Sequence, residues 1–180
     1  TLVFHRGFTL YNIGFTSGLI AMTFTAVLRL FSYSIVENTL VFNEYHFPLI
    51  WIIFGFFSLT VGIGFYYNSF RLSGIREIFD SSGKLTTDFI ANSGIGATLI
   101  NIGLVGLMLS SYVLLVGGQL NGPVIGAILS AVGFSAFGCH LKNSFPILVG
   151  IFIASLFGTF HEITSTGMLV AAVFGTGLAP

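Results

Sequence analysis

GGQLNGPVIGAILSAVGFSAFGCHLKN, residues 117–143, is the stretch on which the fold turns. It is apolar enough for a lipid interior. Yet it opens near an Asn-Gly-Pro turn, carries six glycines and is barely long enough to cross a bilayer. Asn121 can cap a helix, and Pro123 fits its first turn. Gly133 and Gly138 weaken the far end. Two readings stand: an ordinary tilted spanning helix, or a broken or re-entrant one lining a path.

Composition argues in the same direction. The chain has 180 residues, 54% of them hydrophobic and 7% charged, with a mean hydropathy of +0.98. Soluble domains carry about a quarter charged residues. Six Lys and Arg with six Asp and Glu cannot furnish a water-facing surface on a chain of this size. Lipid is the expected solvent for most of the exterior. A formal net charge of zero removes the electrostatic footprint of a nucleic-acid partner. Cys139 is the single cysteine, so an internal disulfide and a cysteine-based metal cluster are excluded.

Six apolar segments stand out: Phe8–Phe31, Pro48–Tyr67, Gly94–Val116, Gly122–Cys139, Phe145–Phe160 and Gly167–Pro180. Runs of roughly 17 to 25 apolar residues read as transmembrane helices. The first three meet that length, and the last three are marginal or short. Stretches such as PLIWIIFGFFSLTVGIGF lack the alternation of barrel strands, which leaves helices as the spanning form. The expected fold is all-α: a polytopic transmembrane helix bundle with short, broken or re-entrant helices. One transmembrane domain over residues 1–180 is expected, as a fragment or half of a longer protein.

Basic residues set the orientation. Arg6 precedes the first segment, Arg71, Arg76 and Lys84 lie in the 68–92 loop, and Lys142 follows the fourth segment. The 32–47 loop holds Glu37 and Glu44 without Lys or Arg. If the fourth segment crosses, the alternation puts the N-terminus, the 68–92 loop and the 140–144 link in the cytoplasm. Within that loop, SGIREIFDSSGKLTTDFIANSG reads as a short amphipathic turn followed by a flexible link. Arg29 falls near the outer end of its segment, where its stem can snorkel to the interface.

No paired-His metal motif, phosphate-cradling loop or nucleophile elbow is present. Neither an enzyme nor a cofactor is expected. His5, His46, His140 and His161 fall near segment boundaries and read as interfacial residues. The informative polar groups are Asn12, Asn101 and Asn121, each closely followed by glycine. A primary amide in lipid must find partners; it serves either as glue between helices or as a ligand for a polar solute. With Gly122, Asn121 opens a helix N-terminus whose amides favour an anionic or carbonyl-bearing solute. Small residues recur at four-residue spacing: Gly14 and Gly18; Gly122, Gly126 and Ser130; Gly150, Ala154 and Gly158. Such stripes predict close helix approach.

FHRGFTLYNIGFTSGL, GATLINIGLVGLMLSSYVLLVGGQLNGPVIGAIL and GFSAFGCHLKNSFPILVG together resemble a bacterial family of multi-spanning membrane proteins, a domain-of-unknown-function group. The resemblance covers most of the chain, with Asp88 to Gly150 the most specific part. It implies a longer protein with a second YN-x-G segment near its C-terminus, which this sequence lacks. It carries topology rather than mechanism. LYNIGFTSGL is also similar to the Tyr-Asn-Gly turn of urea transporters, which are built from inverted repeats, although Ile13 separates Asn12 from Gly14 here.

The expected function is a transporter or channel of the bacterial inner membrane for a small polar solute, with Asn12, Asn101, Asn121 and Gly122 as candidate solute-binding residues. Lipid and a second copy, or the remaining half of the same protein, are the expected partners. The alternative is a non-transporting scaffold subunit whose glycines serve packing alone.

Overall fold

The structure, a computed structural model, describes residues 11–33, 41–83, 87–157 and 162–179, with side chains from Ile20 onward except Leu178. The readings of His5, Arg6, Glu37, Lys84, Gly158 and His161 lie outside the described residues. So do those of the Asn12 side chain and of the Gly14–Gly18 pair. The described residues form eight α-helices and no strand.

The chain divides into two units, residues 1–40 and 41–180. In the first, α1 (Tyr11–Leu30) is a single helix that carries Asn12 on its backbone. Arg29 is exposed in its last turn, where a cation faces the negative end of the helix dipole.

The second unit begins with α2 (His46–Tyr67) and continues through two short helices, α3 (Ile75–Asp80) and α4 (Phe89–Ser93). Then come α5 (Ile95–Leu115), α6 (Gly122–Gly133), α7 (Leu141–Phe157) and α8 (Thr166–Gly175). Helices α2 and α5, at 22 and 21 residues, are each long and apolar enough to cross a membrane.

These two pack antiparallel, and glycine decides how closely. A Cβ on Gly103 would lie 2.8 Å from the Phe57 carbonyl oxygen, and one on Gly106 2.4 Å from the Phe57 ring. The INIGLVGL run is therefore a socket for Phe57, which is fully buried. Further along, Gly64 meets the Ile100 amide and Gly96 meets Asn68 in the same way. The stripes singled out from spacing behave differently. Added Cβ atoms on Gly122, Gly126 and Gly150 would meet nothing within 4 Å. Small-residue spacing marks where a helix is able to be approached; the partner's side chains decide where it is.

The described residues of the 68–92 segment include two short helices in place of the expected turn and link. Ile75 and Ile78 of α3 and Phe89 of α4 bury against Ala97 and Ile100 of α5. Asp88 caps α4, accepting from the amides of Ile90 (2.9 Å) and Ala91 (3.1 Å). The fifth apolar segment also begins earlier than its proline. Helix α7 starts at Leu141 and holds Pro146 inside. So near the start, the ring removes only one bond of the ladder.

Candidate functional site

The opening stretch is a broken helix. Helix α6 has 12 residues, about 18 Å at the usual rise, well short of a bilayer core. A 3-10 turn, Phe134–Ala136, follows it. The chain then unwinds through Gly138, whose φ of +135° favours glycine, before α7 begins.

At its start, α6 is closed off. Asn121 Oδ1 accepts from the Val124 amide at 3.1 Å, and Asn121 Nδ2 donates to Asn43 Oδ1 (3.2 Å) and Thr166 Oγ1 (3.0 Å). Beside it, the Leu120 amide donates to His46 Nδ1 at 2.9 Å. The cap expected of Asn121 forms, and its amide also ties together the starts of α2, α6 and α8. Pro123 has no N–H, Val124 N–H is capped, and Ile125 N–H bonds the Asn121 carbonyl at 2.9 Å. Of the first turn's amides that leaves Gly122, which is exposed.

At its far end, α6 is held open. Asn101, fully buried about two turns into α5, donates from Nδ2 to the carbonyls of Ser135 and Cys139, both at 2.8 Å. It thereby ties α5 to the backbone on both sides of the break, at Ser135 in the 3-10 turn and at Cys139 beyond it. Those bonds fix the amide's orientation, because a flipped Oδ1 would face two carbonyl oxygens. Asn101 Oδ1, Ser135 Oγ and His140 Nδ1 are buried there without a hydrogen-bond partner.

A second layer frames the break. His140 Nε2 lies 3.0 Å from the Ser81 carbonyl, and the ring packs between Phe79 and Phe89. Asn143 braces the turn: its Oδ1 accepts from the His140 amide (2.9 Å) and its Nδ2 donates to the Gly138 carbonyl (2.9 Å). Gly83 and Gly138 touch backbone to backbone, so that a Cβ on either would lie 2.7 Å or less from the other's carbonyl oxygen. Cys139 Sγ rests 3.4 Å from Ser144 Oγ and donates to the Thr176 carbonyl at 3.5 Å.

His140 is not an interfacial residue as its position suggested. It is 1% exposed. Burial, first, lowers its pKa below the ordinary value near 6.5; Lys142 adds to this, and the Ser81 carbonyl works the other way. It lies in the link before α7, outside both helices long enough to cross a membrane.

The expected binding residues do not converge. Asn101 and Asn121 sit at opposite ends of α6, with Asn101 about 21 Å along α5 from its C-terminal end at Leu115. Gly122 accompanies Asn121, and the Asn12 side chain lies outside the described residues. Ser135, His140 and Asn143 escaped the sequence reading. Their signal was the polar run Cys139–Asn143 directly after glycine in an otherwise apolar stretch.

Family comparison bears on the same region. A family described as a protein of unknown function, DUF1576, matches residues 1–30 and 67–180. The chain belongs to the DUF1576 family. No curated protein and no solved structure matches it. The match takes in all of α5 to α8, and so the whole break, whereas most of α2, with Phe57 and His46, falls between its two parts. DUF1576 membership assigns no chemistry, which rests on the residues themselves.

Proposed function

We infer that the protein is an integral membrane protein of the bacterial inner membrane that passes a small polar solute, as a transporter or channel. The break after α6 is where solute and protein meet. The lengths of α2 and α5 support the membrane reading, as does the apolar exterior. Phe47, Trp51, Ile52, Phe56, Ile153, Leu156 and Phe157 are all exposed, more than a water-facing monomer presents. The open glycines Gly55, Gly62, Gly126 and Gly150 leave smooth helix surface for a second copy, or for the remaining half of a longer inverted-repeat chain. Lys142 lies 3.5 Å from Asp80, which also pairs with Arg76 at 3.9 Å. The basic end is thus one end of the second unit, and by the positive-inside rule it is cytoplasmic.

One observation carries the solute reading. Backbone unwinds over residues 134–140 beside α5 and leaves three buried polar atoms unpaired. Between the apolar helices of a membrane protein, irregular backbone persists only inside protein or along a wet cavity. Short interrupted helices are where transporters hold solutes.

The scaffold reading draws on Asn121, whose amide is taken up by neighbours. An uptake screen of small solutes in proteoliposomes separates the two. Uptake that Ser135→Ala lowers and Asn121→Ala spares is expected. Loss in Asn121→Ala alone, with the protein folded, would move the solute to the other end of α6. No uptake above empty liposomes for any solute would leave the scaffold.

A further inference from the structure

The three unpaired atoms at the break have a common chemical character. The Ser81 carbonyl only accepts, so His140 Nε2 carries the ring's hydrogen and Nδ1 keeps its lone pair. Asn101 Nδ2 is held by two carbonyls, so Oδ1 is a bare acceptor. Ser135 Oγ is a hydroxyl able to accept or donate. All three residues are at most 1% exposed. A buried acceptor without a partner is costly, so each of these atoms calls for a partner from outside the chain, water or a bound molecule.

Charge narrows what that is. Of the carboxylates on neighbouring elements, Asp80 is engaged by Lys142 and Asp88 by the first turn of α4, while Glu77 of α3 is exposed to solvent. Among the described residues no carboxylate is buried, so a cation here would find no counter-charge at its own depth, and burying one unpaired is expensive. Lys142, in turn, is held by Asp80, so an anion would meet two lone pairs and one hydroxyl. Among the described residues, no three His, Cys, Asp or Glu side chains gather to hold a metal ion.

We propose that Asn101 Oδ1, Ser135 Oγ and His140 Nδ1 form a buried site for a small uncharged molecule that presents N–H or O–H donors. This rests on reading the break as the solute's meeting place, and adds the solute's class. It differs from the anionic or carbonyl-bearing solute expected at the Asn121 end, because there the cap already holds the amide such a ligand would need.

The test compares formamide with formate, which is of similar size but charged and without N–H donors. Protein labelled with 15N-histidine is titrated in detergent, reading the His140 Nδ1 resonance, which is assigned by its loss in His140→Gln. A saturable displacement by formamide is expected, weakened about tenfold or more by Ser135→Ala, with no response to sodium formate or potassium chloride. Displacement by formate or potassium but not formamide would overturn the proposal. So would a resonance that no titrant moves, which means water or nothing fills the site. The formamide–formate comparison needs no variant, so a misfolded Ser135→Ala does not blunt it. Formamide binding without uptake of any solute in liposomes would keep this site and remove transport. Uptake indifferent to Ser135→Ala would do the reverse.

Discussion

The two ends of α6 are each served by an asparagine that precedes glycine closely in the sequence, yet they do opposite things. Asn121 sits at the helix start, and each of its amide atoms has a partner. Asn101 comes from another helix, donates to carbonyls on both sides of the break where α6 stops, and keeps one acceptor bare. The first is a closed joint, the second an open one. Residue type and local context are alike; what separates them is which backbone groups each must satisfy, and whether water can reach the partners.

That difference predicts unequal losses. In Asn101→Leu the carbonyls of Ser135 and Cys139 lose the Asn101 donor inside the protein, since both residues are buried. A buried carbonyl left without its donor costs about 1–3 kcal/mol, so loss of much of the folded protein is expected. In Asn121→Leu the cap is lost, at about 1 kcal/mol. The stranded partners Asn43 and Thr166 are exposed and half-buried, so water replaces the amide. Thermal unfolding in detergent, with size-exclusion to score folded protein, reads both. Equal losses would mean that water enters the break freely, and the contrast between the ends would fail.

Glycine sharpens the same comparison at a smaller scale. Gly138 has φ +135°, and a Cβ on it would lie 2.7 Å from the Gly83 carbonyl oxygen. Gly138→Ala is expected to destabilise by roughly 1–3 kcal/mol of backbone strain and contact. Gly126, within α6, has open space around it, and Ala there gains up to about 1 kcal/mol of helix propensity. The two variants should shift the unfolding temperature in opposite directions. A shift in the same direction would show that the Gly126 face is occupied, for which the partner proposed above, a second copy, is the first candidate.

The sequence made some of this legible and not the rest, for reasons that residues make plain. Asn121-Gly-Pro123 specifies a helix start through local chemistry, so the start of α6 is readable without a fold. The apolar lengths of α2 and α5 are equally local. Asn101 is different: α5 is apolar on every side, so no periodic contrast marks its inner face, and its carbonyl partners come from residues 135 and 139. Burial of His140 depends on Ser81 and Phe79 folding back from a segment about sixty residues earlier, which spacing cannot reveal. The glycines fail for the same reason. Gly103 and Gly106 matter because Phe57 fills them; neither their three-residue spacing nor the four-residue spacing of Gly122 and Gly126, which meet nothing, reveals that.

The smallest expected effect is a pH dependence confined to the open end. His140 faces the Phe79 and Phe89 rings, the Ser81 carbonyl and the charge of Lys142, itself bound to Asp80. Burial disfavours the imidazolium, so the folded pKa lies below the ordinary value near 6.5 that the unfolded chain would have. The sign follows from proton uptake. Above that ordinary value both states are neutral, and the stabilisation is complete. As pH falls below it, the unfolded chain binds the proton first, so stability declines until pH has passed the folded pKa. The unfolding temperature should therefore hold steady from pH 8 to about 7 and fall towards pH 5. His140→Gln, which keeps a donor for the Ser81 carbonyl and cannot titrate, should flatten that slope. A slope unchanged in His140→Gln would assign the pH dependence to groups elsewhere. A wild type that grows more stable on acidification would mean that the ring at the break is charged, and the uncharged-acceptor character of the open end would be wrong.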